Sequence, residues 1–204
     1  MNILVVAATE SEILPSLSFL ESKKADVLIT GVGMVATTYA LTKKLKTSSY
    51  DLIINVGIGG VLNKESQLGE VYRVVEDTIY RFGAEDGQAF LSMDNLGFGK
   101  STFVEQFPQP WDTIALPTIK GLTVNTVHGN AESIEQLRLS YPSNVMESME
   151  GAAVFYVANM EKIPVMQLRA SSNYIEPRNR AAWQIGLAVA NLNDCLQKVI
   201  VSLR

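Results

Sequence analysis

The chain has 204 residues, 47% of them apolar, with 17 Lys and Arg against 21 Asp and Glu for a formal net charge of −4. That is enough for one domain with a sizeable core over residues 1–204, and the acidic balance with scattered cations argues against nucleic acid or an anionic membrane as partner. A lone cysteine, Cys195, excludes an intrachain disulfide, and the apolar run from Ile3 to Ala8 is too short to span a bilayer, so a cytoplasmic protein is expected.

Residues 2–8 are continuously apolar and β-branched, as in a strand buried on both faces. Thr9 can cap a helix with Glu10 and Glu12 in its first turn and Leu14, Leu17 and Leu20 inward. A second strand over 25–30 ends in Gly31-Val32-Gly33-Met34, and a small-residue helix follows over 35–45. The strand over 51–56 runs into Gly57-Ile58-Gly59-Gly60, read as a turn. Strand, glycine turn and helix alternate, which predicts an α/β fold with a central mixed, mostly parallel twisted sheet flanked by helices.

Residues 69–80 break this rhythm and read as an extended antiparallel strand. Residues 81–118 read as loops with a short helix near Thr102 to Gln106. Further on come a strand over 121–127 that His128 ends, a helix over 131–139, a short strand over 144–146, an apolar helix over 151–160 and a strand over 164–170. A long helix over 178–203 closes the chain, with Trp183, Ile185, Leu187, Val189, Leu192, Leu196 and Ile200 on its apolar face.

Gly31-Val32-Gly33-Met34-Val35-Ala36 fits the dinucleotide pattern, with Asp51 about twenty residues on. The context argues against it. A full strand and helix precede the motif, and Asp51 begins its strand instead of ending it. Glu12 lies at the carboxyl edge of the first strand, either as a dipole-compensating surface acid or as a general base for water. His128 is the single histidine, so neither a His-rich metal site nor a triad with a second histidine is available, and no metal or cofactor is expected. Glu147, Ser148, Met149 and Glu150 precede an apolar helix, and Asn173 opens a cluster holding Tyr174, Arg178, Arg180 and Trp183. An acid and an amide reaching one sheet edge from different elements suit a ribose at Glu150 and a purine at Asn173.

In order, Ala-Ala-Thr-Glu-Ser-Glu, Gly-Val-Gly-Met, Ile-Ile-Asn-Val-Gly-Ile-Gly-Gly, Met-Glu-Gly-Ala-Ala and Arg-Ala-Ser-Ser-Asn resemble the nucleoside phosphorylase and nucleosidase superfamily over nearly the whole chain. Residues 147–153 and 173–183 resemble its futalosine hydrolase family, whose reaction belongs to the futalosine route to menaquinone. The resemblance implies a homo-oligomer that hydrolyses a small purine nucleoside, releasing hypoxanthine and dehypoxanthinyl futalosine. It implies that Glu12 activates water, that Met149 and Glu150 hold the ribose beside Ser148, Gly59 and Gly60, and that Asn173 meets the base. The methylthioadenosine/adenosylhomocysteine nucleosidases carry an aspartate there, and an amide suits a 6-oxopurine better. Arg178 or Arg180 is the candidate partner for the carboxylate on futalosine's 5′ side. The rivals are a purine nucleoside phosphorylase, a methylthioadenosine-type nucleosidase and a nucleoside-binding protein without activity. A phosphorylase needs phosphate ligands that Gly31 to Val35 and Gly57 to Val61 do not contain.

Overall fold

The sheet is arranged around β3 (Leu52–Val61), and the computed structural model describes residues 1–107 and 115–203. On one edge, β10 (Val165–Tyr174) runs parallel to β3 from Ile53 to Val61. The other edge is shared. β1 (Ile3–Ala7) pairs in parallel with Leu52 to Asn55, and β9 (Val145–Ser148) pairs antiparallel with Gly60 and Val61. Between Asn55 and Gly60 neither strand is on the ladder, so this edge of β3 is open over four residues.

The opening follows from how the sheet closes. β10 pairs antiparallel with β4 (Val71–Ile79), β4 pairs in parallel with β8 (Thr118–Thr123), and β8 pairs in parallel with β9. With β9 back on β3, five strands form a ring, and β1 and then β2 (Asp26–Ile29) extend from it as a wing. The gap lies where β3 leaves the wing and joins the ring. Such a divergence of neighbouring strands is where open α/β sheets form their crevice.

Helices cover the sheet on both sides. α1 (Glu10–Ile13), α2 (Leu17–Ser22) and α7 (Ile185–Ser202) bury Ile13, Leu20, Leu192, Leu196 and Ile200 against Ile3, Val5, Ile54 and Leu168. α3 (Met34–Leu45) and α6 (Gly151–Glu161) bury Leu41, Val154 and Phe155 against Leu4, Val6 and Ile53. Alternate residues of β1 and β3 therefore serve opposite cores, which explains why these strands are apolar without a break. α5 (Ala131–Ser140) covers the ring over Leu62, Leu122 and Val145. A hairpin of β5 (Gly83–Asp86) and β6 (Ala89–Ser92), the single turn α4 (Met93–Leu96) and β7 (Thr102–Val104) on the edge of β4 complete the order.

Several expectations are corrected. Gly57 to Gly60 is not a turn, because β3 continues through it to Val61. β10 likewise runs on to Tyr174, which puts Asn173 on a strand. Thr102 to Val104 is a strand paired with Glu76 to Thr78, not a helix. β4 is antiparallel to β10 and β7 as expected but parallel to β8. β8 ends at Thr123, so His128 lies in the loop before α5. Pro15 breaks the first helix; Leu14 is 59% exposed and Ile13 takes the core position. The last helix begins at Ile185: Pro177 has no N–H to give, and the N–H of Gln184 bonds to Ser172 O at 2.7 Å. Arg178 and Trp183 therefore lie in the preceding segment, and Arg180 in a single 3₁₀ turn. Of the loop expected over 81–118, residues 108–114 lie outside the described residues. Among the described residues no helix is long and apolar enough to cross a membrane.

Candidate active site

The open edge of β3 is the floor of a cavity of about 550 Å³ lined from the turn after β1, α1, β3, β9, β10, the segment before α7 and the start of α7 itself. A shallower depression of about 740 Å³ over Met34, Tyr39 and Lys43 lies on the outside of α3 and gathers no comparable set of acids and amides. Glu12, Gly59, Gly60, Ser148, Met149, Glu150, Asn173 and Arg178 all line the first cavity. Arg180 does not line it; its guanidinium lies 5.9 Å from the Trp183 ring.

Glu12 fills the gap in the ladder. Its Oε1 accepts the N–H of Ile58 at 3.1 Å, a donor that no strand reaches. Its Oε2 accepts from the Thr9 N–H at 3.0 Å and the Thr9 hydroxyl at 2.8 Å. Three donors thus fix a nearly buried carboxylate on the cavity wall.

Behind it stands Arg169 of β10, 1% exposed. Its guanidinium occupies the space a side chain at Gly57 would fill, and the same Cβ would lie 2.9 Å from Glu12 Oε1. Gly57 is therefore required for the acid and the arginine to lie where they do, on either side of its Cα. Arg169 Nη2 is 3.9 Å from Glu150 Oε2, and its Nε and Nη2 have no hydrogen-bond partner. Buried donors without partners are uncommon, which sets this guanidinium apart from the other buried polar groups. Arg169 was missed as a site residue, although a charge inside the apolar run Val-Met-Gln-Leu-Arg-Ala is a readable signal.

Glu150 caps α6, and its Oε1 accepts the N–H of Gly33 at 3.0 Å. Gly33 has φ +95°, a conformation glycine adopts without strain. The Gly31 to Gly33 loop thus positions an acid and is not a phosphate cradle; Asp51 sits at the far end of β3, accepting from the N–H of Asn2. Ser148 Oγ accepts the Gly151 N–H at 3.4 Å and so supports the start of α6.

Asn173 reaches the cavity through a bulge. Ser171 pairs with Gly59 and Asn173 with Gly60, leaving Ser172 as the extra residue. Asn173 Nδ2 donates to Tyr174 O at 3.0 Å, and its Oδ1 accepts from the Ser172 hydroxyl at 2.8 Å. A backbone carbonyl only accepts, so it fixes which end of the amide is nitrogen. The second N–H of Nδ2 stays free to donate. Gly60 makes room: a Cβ there would lie 3.0 Å from Asn173 Nδ2.

Two further groups were not read as site residues. His128 and Glu147 both line the cavity and bond to each other, Glu147 Oε2 at 2.8 Å from Nδ1 and Oε1 at 2.8 Å from the His128 N–H. Beneath the site, Asp77 is fully buried and accepts from Gln167 Nε2 at 2.8 Å and Thr123 Oγ1 at 2.7 Å. Loss of solvent pushes its carboxyl up to about 6, against the lowering effect of those two bonds and of the Arg169 charge. Gln167 Oε1 in turn accepts from Asn55 Nδ2 at 2.6 Å. Among the described residues no group of three or more His, Cys, Asp or Glu is placed to hold a metal ion.

The model of the phosphorylase superfamily matches residues 19–202. A futalosine hydrolase of Streptomyces coelicolor is 37% identical over 184 residues, covering 85% of this chain and 77% of that protein. Among solved structures, futalosine hydrolase of Helicobacter pylori superposes with a TM-score of 0.83 at 15% identity, covering 100% of this chain and 98% of the other. The 5′-methylthioadenosine/S-adenosylhomocysteine nucleosidase of Neisseria meningitidis, in complex with methylthio-immucillin-A, gives a TM-score of 0.80 at 18% identity with 100% and 99% coverage. At these identities the two structures speak for the fold.

Proposed function

The chain belongs to the phosphorylase superfamily, and from that premise we propose that it hydrolyses the N-ribosidic bond of futalosine, releasing hypoxanthine and dehypoxanthinyl futalosine for menaquinone synthesis. The observation that carries this reading is Asn173, whose amide nitrogen is turned by the Tyr174 carbonyl to leave one N–H for the base. A donor there meets O6 or N7 of a 6-oxopurine.

In the proposed mechanism Glu12 orients a water beneath the sugar and takes its proton as the oxygen attacks C1′. The C1′–N9 bond breaks and its electron pair leaves with the purine, which Asn173 holds by its free N–H and which then takes up a proton. Glu150 accepts from the ribose hydroxyls, bonds that strengthen as positive charge develops at C1′. Arg169 stands behind Glu12 and Glu150 as a buried positive charge, its Nη2 3.9 Å from Glu150 Oε2, and acts on the site through the carboxylates it faces. Water is favoured over phosphate because two carboxylates, Glu12 and Glu150, face the space a phosphate dianion would enter. Arg178 is the exposed cation on the cavity rim and the proposed partner of the 5′ carboxylate. The mechanism uses no metal or cofactor.

We place the enzyme in the cytoplasm as a homo-oligomer. Support for self-association comes from α3, where Val35 is 85% and Tyr39 68% exposed beside the cavity residue Val32. Light scattering that gives a monomer mass at working concentration overturns that part.

The deciding experiment incubates the protein with futalosine, inosine and methylthioadenosine, with and without phosphate, and assays the free base. Fast phosphate-independent release of hypoxanthine from futalosine is expected. Release that requires phosphate, or that occurs from methylthioadenosine alone, overturns the reading.

A further inference from the structure

Gly60 has two neighbours in the ladder, Asn173 across β10 and Glu147 across β9. Directly paired residues project to one face of a sheet, so both side chains stand on the side of bare Gly60, two strand spacings or about 10 Å apart at their Cα atoms. Both line the cavity. A flat base lying over Gly60 and held by Asn173 on its imidazole side presents its six-membered ring toward the β9 side. What stands there is not Glu147 alone. Both of its oxygens accept from His128, which lines the cavity as well and brings its imidazole to this side.

The tautomer of that imidazole is set by its partner. A carboxylate only accepts, so Nδ1 carries the hydrogen, and in the neutral form of the ring Nε2 is the acceptor. Nε2 makes no hydrogen bond among the described residues and is not one of the atoms sealed from solvent without a partner. The Tyr80 ring, 5.0 Å away and at 73° to the imidazole, holds its plane.

We propose that His128, oriented by Glu147, is a second base-reading residue, whose Nε2 accepts the N1–H of a 6-oxopurine. A 6-aminopurine carries a lone pair at N1, so the two acceptors would face each other. Discrimination then comes from both sides of the base, Asn173 donating at O6, where adenine has an amino group, and His128 accepting at N1. Glu147 is a positioning residue that fixes the tautomer. The proposal rests on the purine-nucleosidase reading above and sharpens its specificity.

Two substitutions and one ligand pair test it. His128→Asn keeps a donor for the Glu147 carboxylate and removes Nε2. Glu147→Gln puts an amide against Nδ1 and permits the opposite tautomer, in which Nε2 donates. Inosine and adenosine are compared as substrates, and hypoxanthine and adenine as ligands by calorimetry. In His128→Asn the oxo-over-amino preference is expected to fall about tenfold or more. In Glu147→Gln it is expected to shift further, toward the amino base. Preferences unchanged in both folded variants overturn the proposal. Should neither variant fold, hypoxanthine is titrated against 1-methylhypoxanthine on the wild-type protein; weaker binding of the methylated base supports the proposal and equal affinity overturns it. Failure of the hydrolase reading is separate: the wild type would release no base, while its binding preference still answers for His128.

Discussion

Glu12 Oε1 accepts the backbone N–H of Ile58 at 3.1 Å, so a side chain occupies the ladder position that β1 has left and β9 has not yet reached. The acid is thereby part of the sheet's hydrogen bonding as well as of its cavity. Glu12→Gln keeps one acceptor but turns an NH₂ toward either Ile58 or Thr9, both of which donate. Turnover of futalosine is expected to fall by about 10²-fold or more, with a stability loss of roughly 1–3 kcal/mol from the mismatched donor. Steady-state kinetics and urea unfolding measure the two, and near-normal turnover would remove Glu12 from the mechanism.

Gly57→Ala places a methyl group where the Arg169 guanidinium lies and 2.9 Å from Glu12 Oε1. Neither neighbour has a free direction to move, because Arg169 is buried and Glu12 is tied by three donors. A loss of about 1–3 kcal/mol or more is expected, along with activity. Denaturant midpoints equal to wild type would mean that the arginine is more mobile than its burial implies.

Asn173→Asp sets a carboxyl group against the Tyr174 carbonyl, which offers no proton. The variant is expected to favour the protonated acid there, and so to gain turnover of adenine nucleosides as pH falls while losing preference for hypoxanthine. Release of adenine and hypoxanthine across a pH series checks this; an unchanged preference at every pH counts against Asn173 as a base contact.

Asp77 provides a stability test. Its carboxyl is raised from 3.8 to about 6, so between those values the folded chain holds a proton that the unfolded chain has released. Stability should therefore fall as pH rises through this window, by roughly 3 kcal/mol at most, and change no further above it. Asp77→Asn should flatten that slope in urea unfolding at a series of pH values. A wild-type slope of the opposite sign would mean that the Gln167 and Thr123 bonds outweigh burial.

For Arg178→Ala, the loss in kcat/KM is expected to be about tenfold greater on futalosine than on inosine, which lacks the 5′ carboxylate. Equal losses would move the clamp elsewhere. Arg180→Ala is the control, since Arg180 does not line the cavity.

The cavity residues proposed for the chemistry were legible in the chain where local pattern places them. Glu12 and Glu150 follow strands and Asn173 lies near the end of one, and strand ends are where an α/β sheet presents polar groups. Arg169 was legible as a charge in an apolar run, but what it does, like the pairing of His128 with Glu147, was not, because both depend on lateral pairing. Arg169 matters through Gly57 on the next strand, and Glu147 through a loop nineteen residues upstream. The glycines at 57, 59 and 60 misled for the same reason: in one dimension they resemble a turn, whereas in the sheet each leaves space for a neighbour. A Cβ at Gly59 would lie 2.7 Å from Glu147 O.

The bulge in β10 has a consequence for inheritance. Adjacent residues of a regular strand point to opposite faces, so Ser172 could not bond to Asn173 without the extra residue between Gly59 and Gly60. Loss of one codon here would restore an even strand and keep either the amide or the hydroxyl that steers it, but not both on one face. The base selectivity proposed for this position would therefore be tied to the length of the chain as much as to its letters, and point substitution alone offers no gradual route by which a regular strand could acquire the pair.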